Sequence, residues 1–482
     1  MDECNLKPLD AAQTFAACEG LWQEGARDAL RALYEAEAPD PRSVIMVLDD
    51  DPTGVQTVHG VDVVTRWDEA ALAGMMEGGA GMFFVLTNSR SFSIEKTARV
   101  HREIAENALR AAAATDRALT VISRGDSTLR GHYPLETRTL RDALSPSMAL
   151  SGEILCPFFA EGGRFTLDGV HYVREGGMLV PAAQTEFAKD RTFGYHHSNL
   201  PDYIAEKSGG AIPAERVEVL RLSQLRGLEF DAMEQLLLAR EDYAYIAADA
   251  MAEDDVRALA VLLARLARKG RRYLLRTAAA VPKVLGHIPD RPLLTREELS
   301  DGDPTRGGLV IVGSHVKKTT DQLNRLRGSD APLAFIEFDV SGWREAGALE
   351  AETRRAADAA EAAMRKGITA VVYTSRTFAS PEGMDAEAQL AVSTRISDAL
   401  TSVVSSLAIR PRFLIAKGGI TSSDVGTKAL GAVRATVLGQ AAPGVPAWRI
   451  GSESRFPGMA YVIFPGNVGG PDTLREIVER LA

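Results

Sequence analysis

Short apolar, β-branched runs alternate with longer helical patterns along most of this chain, and this alternation constrains the fold more than any other feature. Runs separated by helices of this length are typical of βαβ units and a mostly parallel sheet. Long amphipathic helices are predicted at 94–114 and 254–269. The strand-like runs of this first series are VIMVL (44–48), VDVVT (61–65), MFFVLT (82–87), LTVIS (119–123), EILCPF (153–158), VEVLRL (217–222) and YAYIAA (243–248).

A second alternating series follows, and it predicts a second domain. The chain has 482 residues, which is too long for one ordinary domain. The second series contains LVIVGS, PLAFIEFDV, ITAVVYTS and RFLIAKGG. We therefore expect two α/β domains with mostly parallel sheets, divided into an N-terminal helical extension (1–42), a first domain (43–285), a linker rich in Pro, Gly and charge (286–308) and a second domain (309–482).

Charge and cysteine content exclude several classes of function. Lys and Arg total 55 against 65 acidic residues, so the net charge of -10 lacks the field that attracts nucleic acid or anionic membranes. The cysteines Cys4, Cys18 and Cys156 are odd in number and dispersed, which favours a reducing compartment. The start MDECNLKPLD lacks the pattern of a signal peptide, and no apolar run reaches the roughly 18 residues of a membrane span. The sequence predicts a cytoplasmic protein.

An acidic motif, DDDPTG at 49–54, follows the first strand-like run. In open α/β sheets, ligands bind beyond the carboxyl ends of strands, where this motif is expected to lie. A carboxylate of Asp50 or Asp51 can accept hydrogen bonds from sugar hydroxyls and can act as a general base, and Thr53 adds a hydroxyl. The alternative is an acidic turn closed by Pro and Gly, without chemistry.

A second polar motif, SRGDSTLRGH at 123–132, also follows a strand-like run. It combines Asp126, Ser127, Thr128 and Arg130, and an arginine can bind a carboxylate through two parallel hydrogen bonds. Ser127 and Thr128 could equally be plain helix caps.

Two weaker motifs supply further arginines. Arg90 ends TNSR (87–90), after the strand-like run at 82–87. Arg164 lies in the glycine-rich stretch PFFAEGGRFTLDGVHYV (157–173). Neither spacing defines a reaction by itself.

Three small-residue loops in the second domain favour nucleotide binding. They are GSH (313–315), KGGITSSD (417–424) and FPGNVGG (464–470), and none is a Walker A loop. Glycines after a strand let backbone N–H groups approach phosphate oxygens. The histidines lack paired ligand spacing, so we expect no protein-held metal, only Mg²⁺ carried in with the nucleotide. The candidate nucleotide-binding residues are Ser314, Gly418, Gly419, Thr421, Ser422, Gly466, Asn467 and Gly469.

In this order, the motifs resemble those of the four-carbon acid sugar kinase family. The matching segments are D-D-x-T-G at 50–54, D-S-T-L-R-G at 126–131, the stretch 157–173, Gly313-Ser314, 418–422 and 466–469. The resemblance implies an acid-sugar-binding first domain, an ATP-binding second domain and an active site in the cleft between them. It further implies transfer of the γ-phosphoryl group to a terminal hydroxyl of threonate, erythronate or an oxo-tetronate. The chain departs from the family pattern at Arg124, Ile420 and Phe464-Pro465.

From the resemblance and the residue chemistry we hypothesise roles for these side chains. Arg130, with Arg90 or Arg164, binds the substrate carboxylate. Asp51 and Asp126 bind its hydroxyls, and Asp51 is favoured as the group that accepts the proton of the attacking hydroxyl.

Two other functions and one form of assembly stay open at this point. A haloacid dehalogenase-type phosphatase would use Asp49 as nucleophile and Asp51 as acid/base. A non-catalytic sensor would bind acid sugar and nucleotide without turnover. The N-terminal extension is expected to pack on the main body or on the second subunit of a homodimer.

Overall fold

The computed structural model describes residues 6–37, 40–125, 128–300, 303–376, 386–466 and 468–482, with side chains throughout except at 386–391. The chain forms two compact units. Unit 1 comprises Met1–Gly54 and Arg66–Pro289, and unit 2 comprises Val55–Thr65 and Asp290–Ala482.

The strands and helices are numbered in chain order. The strands are β1 (Leu9–Asp10), β2 (Ser43–Asp49), β3 (Asp62–Val64), β4 (Met82–Leu86), β5 (Ala118–Arg124), β6 (Gly152–Cys156), β7 (Arg164–Leu167), β8 (Val170–Glu175), β9 (Met178–Pro181), β10 (Val217–Leu220), β11 (Ala244–Ala248), β12 (Tyr273–Thr277), β13 (Leu309–Val312), β14 (Leu333–Phe338), β15 (Thr369–Thr374), β16 (Leu414–Lys417), β17 (Arg434–Ala442), β18 (Val445–Ile450) and β19 (Ala460–Phe464). The helices are α1 (Ala11–Glu19), α2 (Ala26–Ala36), α3 (Glu69–Glu77), α4 (Ile94–Ala114), α5 (Leu135–Leu144), α6 (Leu200–Lys207), α7 (Leu222–Arg226), α8 (Phe230–Leu238), α9 (Glu253–Arg268), α10 (Ala280–Leu285), α11 (Arg296–Leu299), α12 (Lys317–Leu326), α13 (Ala348–Met364), α14 (Ala386–Ser406), α15 (Gly419–Asp424) and α16 (Thr473–Leu481).

Unit 1 contains a parallel sheet in the order β10-β11-β6-β12-β5-β2-β4. Strands β4, β6 and β12 are buried along their whole length, and β4 is apolar throughout, as is usual for a strand covered on both faces. The chain passes from β2 to β4 on one side and then returns through α4 to β5 on the other side of β2. The carboxyl ends of β2 and β5 therefore form a topological switch point, the usual position of a ligand crevice in an open α/β sheet.

The N-terminal helices belong to the body of unit 1. Helix α2 packs on α9, and Leu30 on its inner face is fully buried. Helix α2 places Leu33 on its outer face, where this side chain is exposed.

A small antiparallel sheet, ordered β1-β9-β8-β7, also belongs to unit 1. Strands β7 and β8 are joined by a tight turn with positive φ at Asp168 and Gly169. The predicted strand-like runs contain none of these short strands.

Unit 2 contains a mixed sheet in the order β3-β17-β18-β19-β16-β13-β15-β14. The five strands from β19 to β14 are parallel, whereas β3, β17 and β18 pair antiparallel. The chain leaves β13 towards β14 on one side and later returns to β16 on the other. The carboxyl ends of β13 and β16 form a second switch point.

The run 61–65 precedes most of the unit 1 strands in the chain, but it pairs with β17 (Arg434–Ala442), which begins 370 residues after Val64. Its strand β3 lies antiparallel to β17, and Asp62 binds the Thr436 hydroxyl at 2.7 Å. The segment expected to be a linker is also partly folded. Leu294 and Leu299 are buried in the core of unit 2.

The predicted fold class is confirmed as two α/β units with mostly parallel sheets. In the part of the chain that the structure describes, no helix combines the length and apolar character needed to span a bilayer.

Candidate active site

Three consecutive carboxylates lie at the carboxyl end of β2 in unit 1. Asp49 is the last residue of β2 and pairs in register with Arg124, the last residue of β5. The Arg124 guanidinium donates to Asp49 at 3.0 Å and lies 3.6 Å from Asp50. The sequence motifs 49–54 and 123–132 therefore meet at the switch point.

Arg90 joins two of these carboxylates. Its Nη2 donates to Asp50 Oδ1 and its Nη1 to Asp51 Oδ2, both at 2.9 Å. The turn that carries Arg90 is fixed because the Thr87 hydroxyl donates to the Asp49 carbonyl at 2.9 Å. Arg90 therefore holds the acidic loop in position through these two ion pairs.

Asp51 has the most accessible side chain of the three carboxylates in this loop. Its side chain is 13% exposed, whereas that of Asp50 is 2% exposed. The Thr53 amide and hydroxyl donate to Asp51 Oδ1 at 2.8 and 2.5 Å. Burial opposes ionisation, but Arg90 and Thr53 outweigh it and hold the pKa of Asp51 below its usual range. Asp51 is therefore ionised at neutral pH.

Asp49 is more deeply buried than Asp51, and its pKa is shifted in the opposite direction. It is 1% exposed, and a Cβ added to Gly54 would overlap its carboxylate oxygens. Burial, reinforced by Asp50 and Asp51, outweighs Arg124 and raises the pKa of Asp49 to about 7. Asp49 therefore lies beneath the loop, where it contacts Arg124 and Gly54.

A buried ion pair beneath the loop was missed in the sequence. Arg276 Nη1, in β12, donates to Glu136 Oε2 at 2.6 Å and to the Ser123 hydroxyl at 2.9 Å. Ser89 donates to the other oxygen of Glu136 at 2.8 Å, and His101 lies 3.7 Å from it. An arginine inside the otherwise apolar run YLLRT was the available signal.

Glycines of the second motif approach this arginine closely. A Cβ on Gly125 would overlap the Arg276 guanidinium. Gly131 has φ +122°, and its added Cβ would lie 2.7 Å from Arg276 and 3.3 Å from Asp50 Oδ2. The backbone that follows Arg130 therefore lies against the acidic loop.

The remaining predicted residues of this motif have different environments. Asp126 and Ser127 lie outside the described residues. Thr128 is fully buried, and its carbonyl accepts a hydrogen bond from Tyr195 at 2.9 Å. Tyr203 donates to the next carbonyl, that of Leu129, at 2.6 Å.

Arg130 and Arg164 come together over one aromatic ring. Their guanidinium carbons lie 5.1 and 4.9 Å from the ring centroid of Phe187. Arg130 also lies 3.5 Å from Asp190. Two cations stacked on one ring form a local positive site in an otherwise acidic protein.

In unit 2, small residues cluster at the carboxyl ends of three parallel strands. Val312, Lys417 and Phe464 lie side by side in register at the ends of β13, β16 and β19. An added Cβ on Gly418 would lie 3.2 Å from Ser314, and one on Gly466 would lie 3.0 Å from the Ser314 hydroxyl. Of the predicted nucleotide-binding residues, these three are brought together at the second switch point.

The other predicted residues of this site differ in their orientation. A Cβ on Gly313 would overlap the Thr421 hydroxyl, so Thr421 also borders the cluster. Ser422 is turned inward, because its hydroxyl donates to the Ala416 carbonyl at 2.8 Å. Gly419 is the first residue of α15, and the next residue, Ile420, is 60% exposed.

Side chains of α12 hydrogen-bond to the loop that follows β19. The Thr319 hydroxyl contacts Ser314 Oγ at 3.1 Å and the Gly466 carbonyl at 3.0 Å. Gln322 donates to the carbonyls of Val468 and Gly470. Asn467 lies outside the described residues, and Gly469 adopts a positive φ of 82°.

Lys417 is a buried lysine whose role was not recognised in the sequence. It is 0% exposed, and its Nζ donates to the Pro465 carbonyl at 2.8 Å. It also lies 3.8 Å from the centroid of the Phe464 ring. Burial, with Lys318 nearby, lowers the pKa of Lys417 to about 7. Lys417 therefore joins the two glycine loops.

Within the described ranges, no three His, Cys, Asp or Glu side chains are grouped to bind a metal. The cluster at the second switch point presents hydroxyls and backbone amides. That donor set suits phosphate oxygens, and a Mg²⁺ bound there would take its ligands from phosphates and water.

Two family models match the chain. One, described as a sugar-binding N-terminal domain, matches residues 45–285, and the other, described as a nucleotide-binding C-terminal domain, matches residues 309–474. No curated protein matches the sequence.

Several solved structures resemble the chain. A Salmonella typhimurium LT2 protein described as a candidate tRNA synthase has 19% identity and a TM-score of 0.62, covering 90% of this chain and 98% of its own. A Haemophilus influenzae protein of the DUF1537 family has 16% identity and a TM-score of 0.57, covering 90% and 99%. At these identities the likeness shows the fold alone.

The sugar-binding model alone spans half of the chain, and the nucleotide-binding model covers most of the rest. The protein therefore belongs to the four-carbon acid sugar kinase family, with a sugar-binding N-terminal domain and a nucleotide-binding C-terminal domain.

Proposed function

We propose that this protein is an ATP-dependent kinase that transfers the γ-phosphoryl group to the terminal hydroxyl of a four-carbon acid sugar. The substrate is threonate, erythronate or an oxo-tetronate. The observation that carries the proposal is the carboxylate of Asp51, held by Arg90 at 2.9 Å at the switch point of the sugar-binding domain. The nucleotide-binding domain of the same chain supplies the phosphoryl donor.

Asp51 acts as the general base in this proposal. Its two oxygens accept one bond from Arg90 and two from Thr53, which leaves lone-pair capacity for one substrate hydroxyl. The hydroxyl proton passes to Asp51, the hydroxyl oxygen bonds to the γ-phosphorus, and the bond from that phosphorus to the β,γ-bridging oxygen breaks. ADP leaves with the bridging oxygen. Asp126 is the alternative base.

Arg130 and Arg164 bind the substrate carboxylate. Their shared position on Phe187 favours this pair over a pair that includes Arg90, whose donors are engaged by Asp50 and Asp51. Asp50 supports Arg90, and substrate hydroxyls are bound by Asp51 and Asp126.

Ser314, Gly418, Gly419, Thr421, Gly466 and Gly469 bind the nucleotide, with backbone N–H groups directed at phosphate. The close approaches of Gly418 and Gly466 to Ser314 support this assignment, because glycines let the backbones of the two loops converge on Ser314 at the ends of the strands. Transfer further requires that the phosphoryl donor and the acceptor hydroxyl come into contact.

Burial of Asp49 argues against the phosphatase alternative. Its carboxylate would have to attack a phosphorus atom, but Asp49 is 1% exposed, binds Arg124 and is covered by Gly54. No second function is favoured by a specific observation.

The test is an ADP-release screen with ATP and Mg²⁺ over four-carbon acids and their 2- and 3-oxo forms. We expect Asp51→Asn to lose about 10²-fold or more in turnover, the usual contribution of a general base. Arg130→Ala should lose acid-sugar turnover, and both variants should bind ATP as the wild type does in calorimetry. Asp116→Asn, at an exposed position, is the matched control.

The outcomes separate the alternatives. ATP binding without ADP release on any of these acids would reject the kinase in favour of a sensor. Phosphate release from sugar phosphates without ATP, with a trapped aspartyl-phosphate at Asp49, would establish the phosphatase. Full activity of Asp51→Asn together with inactive Asp126→Asn would transfer the role of base to Asp126.

A further inference from the structure

A cavity of about 510 Å³ opens in unit 1 beside the loop that carries Arg130. Its walls come from the start of α5, from the segment after α6 and from side chains of β6 and β11. Asp50, Asp51, Arg90 and Arg130 are not among its lining residues. The cavity therefore lies beside the proposed acceptor site, with Gly131 between them, and is lined by different charged side chains.

The lining of the cavity is cationic. Arg138, Arg141 and Lys207 line it, and among the lining residues that the structure describes Glu153 is the single acid. Glu153 is 4% exposed and already accepts a hydrogen bond from Tyr133 at 2.8 Å. The lining therefore carries more cationic than anionic side chains.

The three cations retain hydrogen-bonding capacity. Arg138 is exposed, so its guanidinium is open to solvent. Lys207 donates to the Gly194 carbonyl at 3.2 Å, which occupies one of its three N–H groups. Arg141 binds Asp142 at 2.8 Å and Tyr245 at 3.3 Å.

Apolar and aromatic side chains form the rest of the lining. Phe193 and Tyr245 contribute rings, and His132 packs edge-on against Phe193 at a centroid distance of 4.9 Å. Ile94, at the rim, is 63% exposed, although large aliphatic side chains are usually buried. Cationic groups beside an apolar surface suit a ligand with an anionic head and an apolar body.

We propose that this cavity binds a small amphipathic organic anion, a carboxylate or a phosphate ester with an apolar body, as a further ligand of the protein. The cavity volume lies within the range of small-molecule sites. The ligand head lies near Arg138 and Lys207, and its body lies against Phe193.

The position of the cavity couples the ligand to the acceptor site, a step that rests on the proposed function. Gly131, His132 and Tyr133 line the cavity and follow directly after Arg130 in the chain. A ligand that displaces these residues changes the position of Arg130. It should therefore alter the KM for the acid sugar and leave ATP affinity unchanged.

The binding test uses the fluorescent aromatic sulfonate 1-anilinonaphthalene-8-sulfonate on the full-length protein. We expect one saturable site per chain. Arg138→Glu should weaken binding by at least about fivefold, because replacing a nearby attractive charge changes the binding energy by about 1 kcal/mol or more. Ala211→Trp, at an exposed lining residue, should abolish binding by filling the cavity.

Matched variants and competitors complete the test. Arg102→Glu and Ala70→Trp change exposed residues outside the cavity and should bind the probe as the wild type does, with circular dichroism confirming that every variant is folded. Octanoate and hexyl phosphate should displace the probe, and 1-hexanol should not.

Three results would overturn the proposal: absence of saturable binding, binding that survives Ala211→Trp and Arg138→Glu, or displacement by 1-hexanol as effective as that by octanoate. Because the readout is fluorescence, any of these results leaves the kinase proposal untouched. Loss of kinase activity alone would likewise leave the cavity proposal standing.

Discussion

Gly54 lies directly against the carboxylate of Asp49, so closely that a single added methyl group would overlap both carboxylate oxygens. Asp49 cannot easily move away, because Arg124 holds it at 3.0 Å within the end of the sheet. The last position of the DDDPTG loop therefore requires glycine because a side chain there would collide with Asp49. Backbone conformation is not the reason, since Gly54 does not have a positive φ.

Gly54→Ala should lower the free energy of unfolding by about 1–3 kcal/mol, the usual cost of inserting a methyl group into a packed site. Acid-sugar turnover should fall with it, because Asp51 is in the same loop. Urea unfolding measures the first effect. Gly74→Ala is the control, since it lies in α3 with nothing within 4 Å of its added Cβ. Equal stability of Gly54→Ala and wild type would mean that Asp49 relaxes freely.

Removing the Arg90 charge should change the pH dependence of the reaction. Arg90 is the leading favourable influence on the ionised form of Asp51, followed by Thr53, so Arg90→Gln should raise the pKa of this carboxyl. A base must be deprotonated to act, and the acid limb of the kcat/KM profile should therefore move to higher pH. Thr53→Val should move it in the same direction. An unshifted limb in both variants would exclude Asp51 as the titrating base.

A methyl group at Gly418 should weaken nucleotide binding selectively. Gly418 has φ +129°, which side chains rarely adopt, and its Cβ would lie 3.2 Å from Ser314. Displacement of this loop should lower ATP affinity by roughly tenfold, or about 1.4 kcal/mol, measured by calorimetry. Acid-sugar binding should be unchanged. Gly328→Ala, beside the end of α12, is the control, and a loss of acid-sugar binding in Gly418→Ala would point to general misfolding instead.

The buried pair of Arg276 and Glu136 should be important for stability. Arg276→Met leaves Glu136 buried without its cation and should cost about 3–5 kcal/mol in urea unfolding. The double variant with Glu136→Gln should recover part of this loss. The exposed pair of Arg110 and Glu69 provides the contrast, since Arg110→Met should cost less than about 1 kcal/mol. A double variant as unstable as the sum of the single changes would contradict this explanation.

Much of the fold could be predicted from the sequence, because buried parallel strands are apolar throughout and α4 repeats its apolar face with a helical period. The helix predicted at 94–114 begins and ends at those residues. The partner of 61–65 could not be predicted, since nothing local in that run specifies a strand in unit 2. Strand β12 was missed because Arg276 interrupts its apolar run.

The candidate site was predictable only where polar residues follow strands. Asp51 and Arg90 stood in such positions, but their ion pair depends on two strands being neighbours in the sheet. Glu136 and Lys417 were missed, because one lies on a helix and the other ends a strand with its ammonium turned inward. The roles of the site residues and the domain boundaries stay predictions.

Lys417 should make stability depend on pH in a defined window. Its pKa is about 7 in the folded protein and 10.5 as the ordinary value, so between these two pH values the unfolded chain holds more protons at this site than the folded chain. Stability contributed by this group should therefore rise as the pH increases from about 7 to about 10. Lys417→Met removes the titrating group and should flatten that slope. It also leaves the Pro465 carbonyl without its donor, which costs about 1–3 kcal/mol at every pH. The slope of the unfolding free energy against pH is thus the diagnostic quantity, with the exposed Lys366→Met as the matched control. Parallel pH curves for wild type and Lys417→Met would show that the ammonium reaches solvent, and that Lys417 does not join the two glycine loops from a buried position.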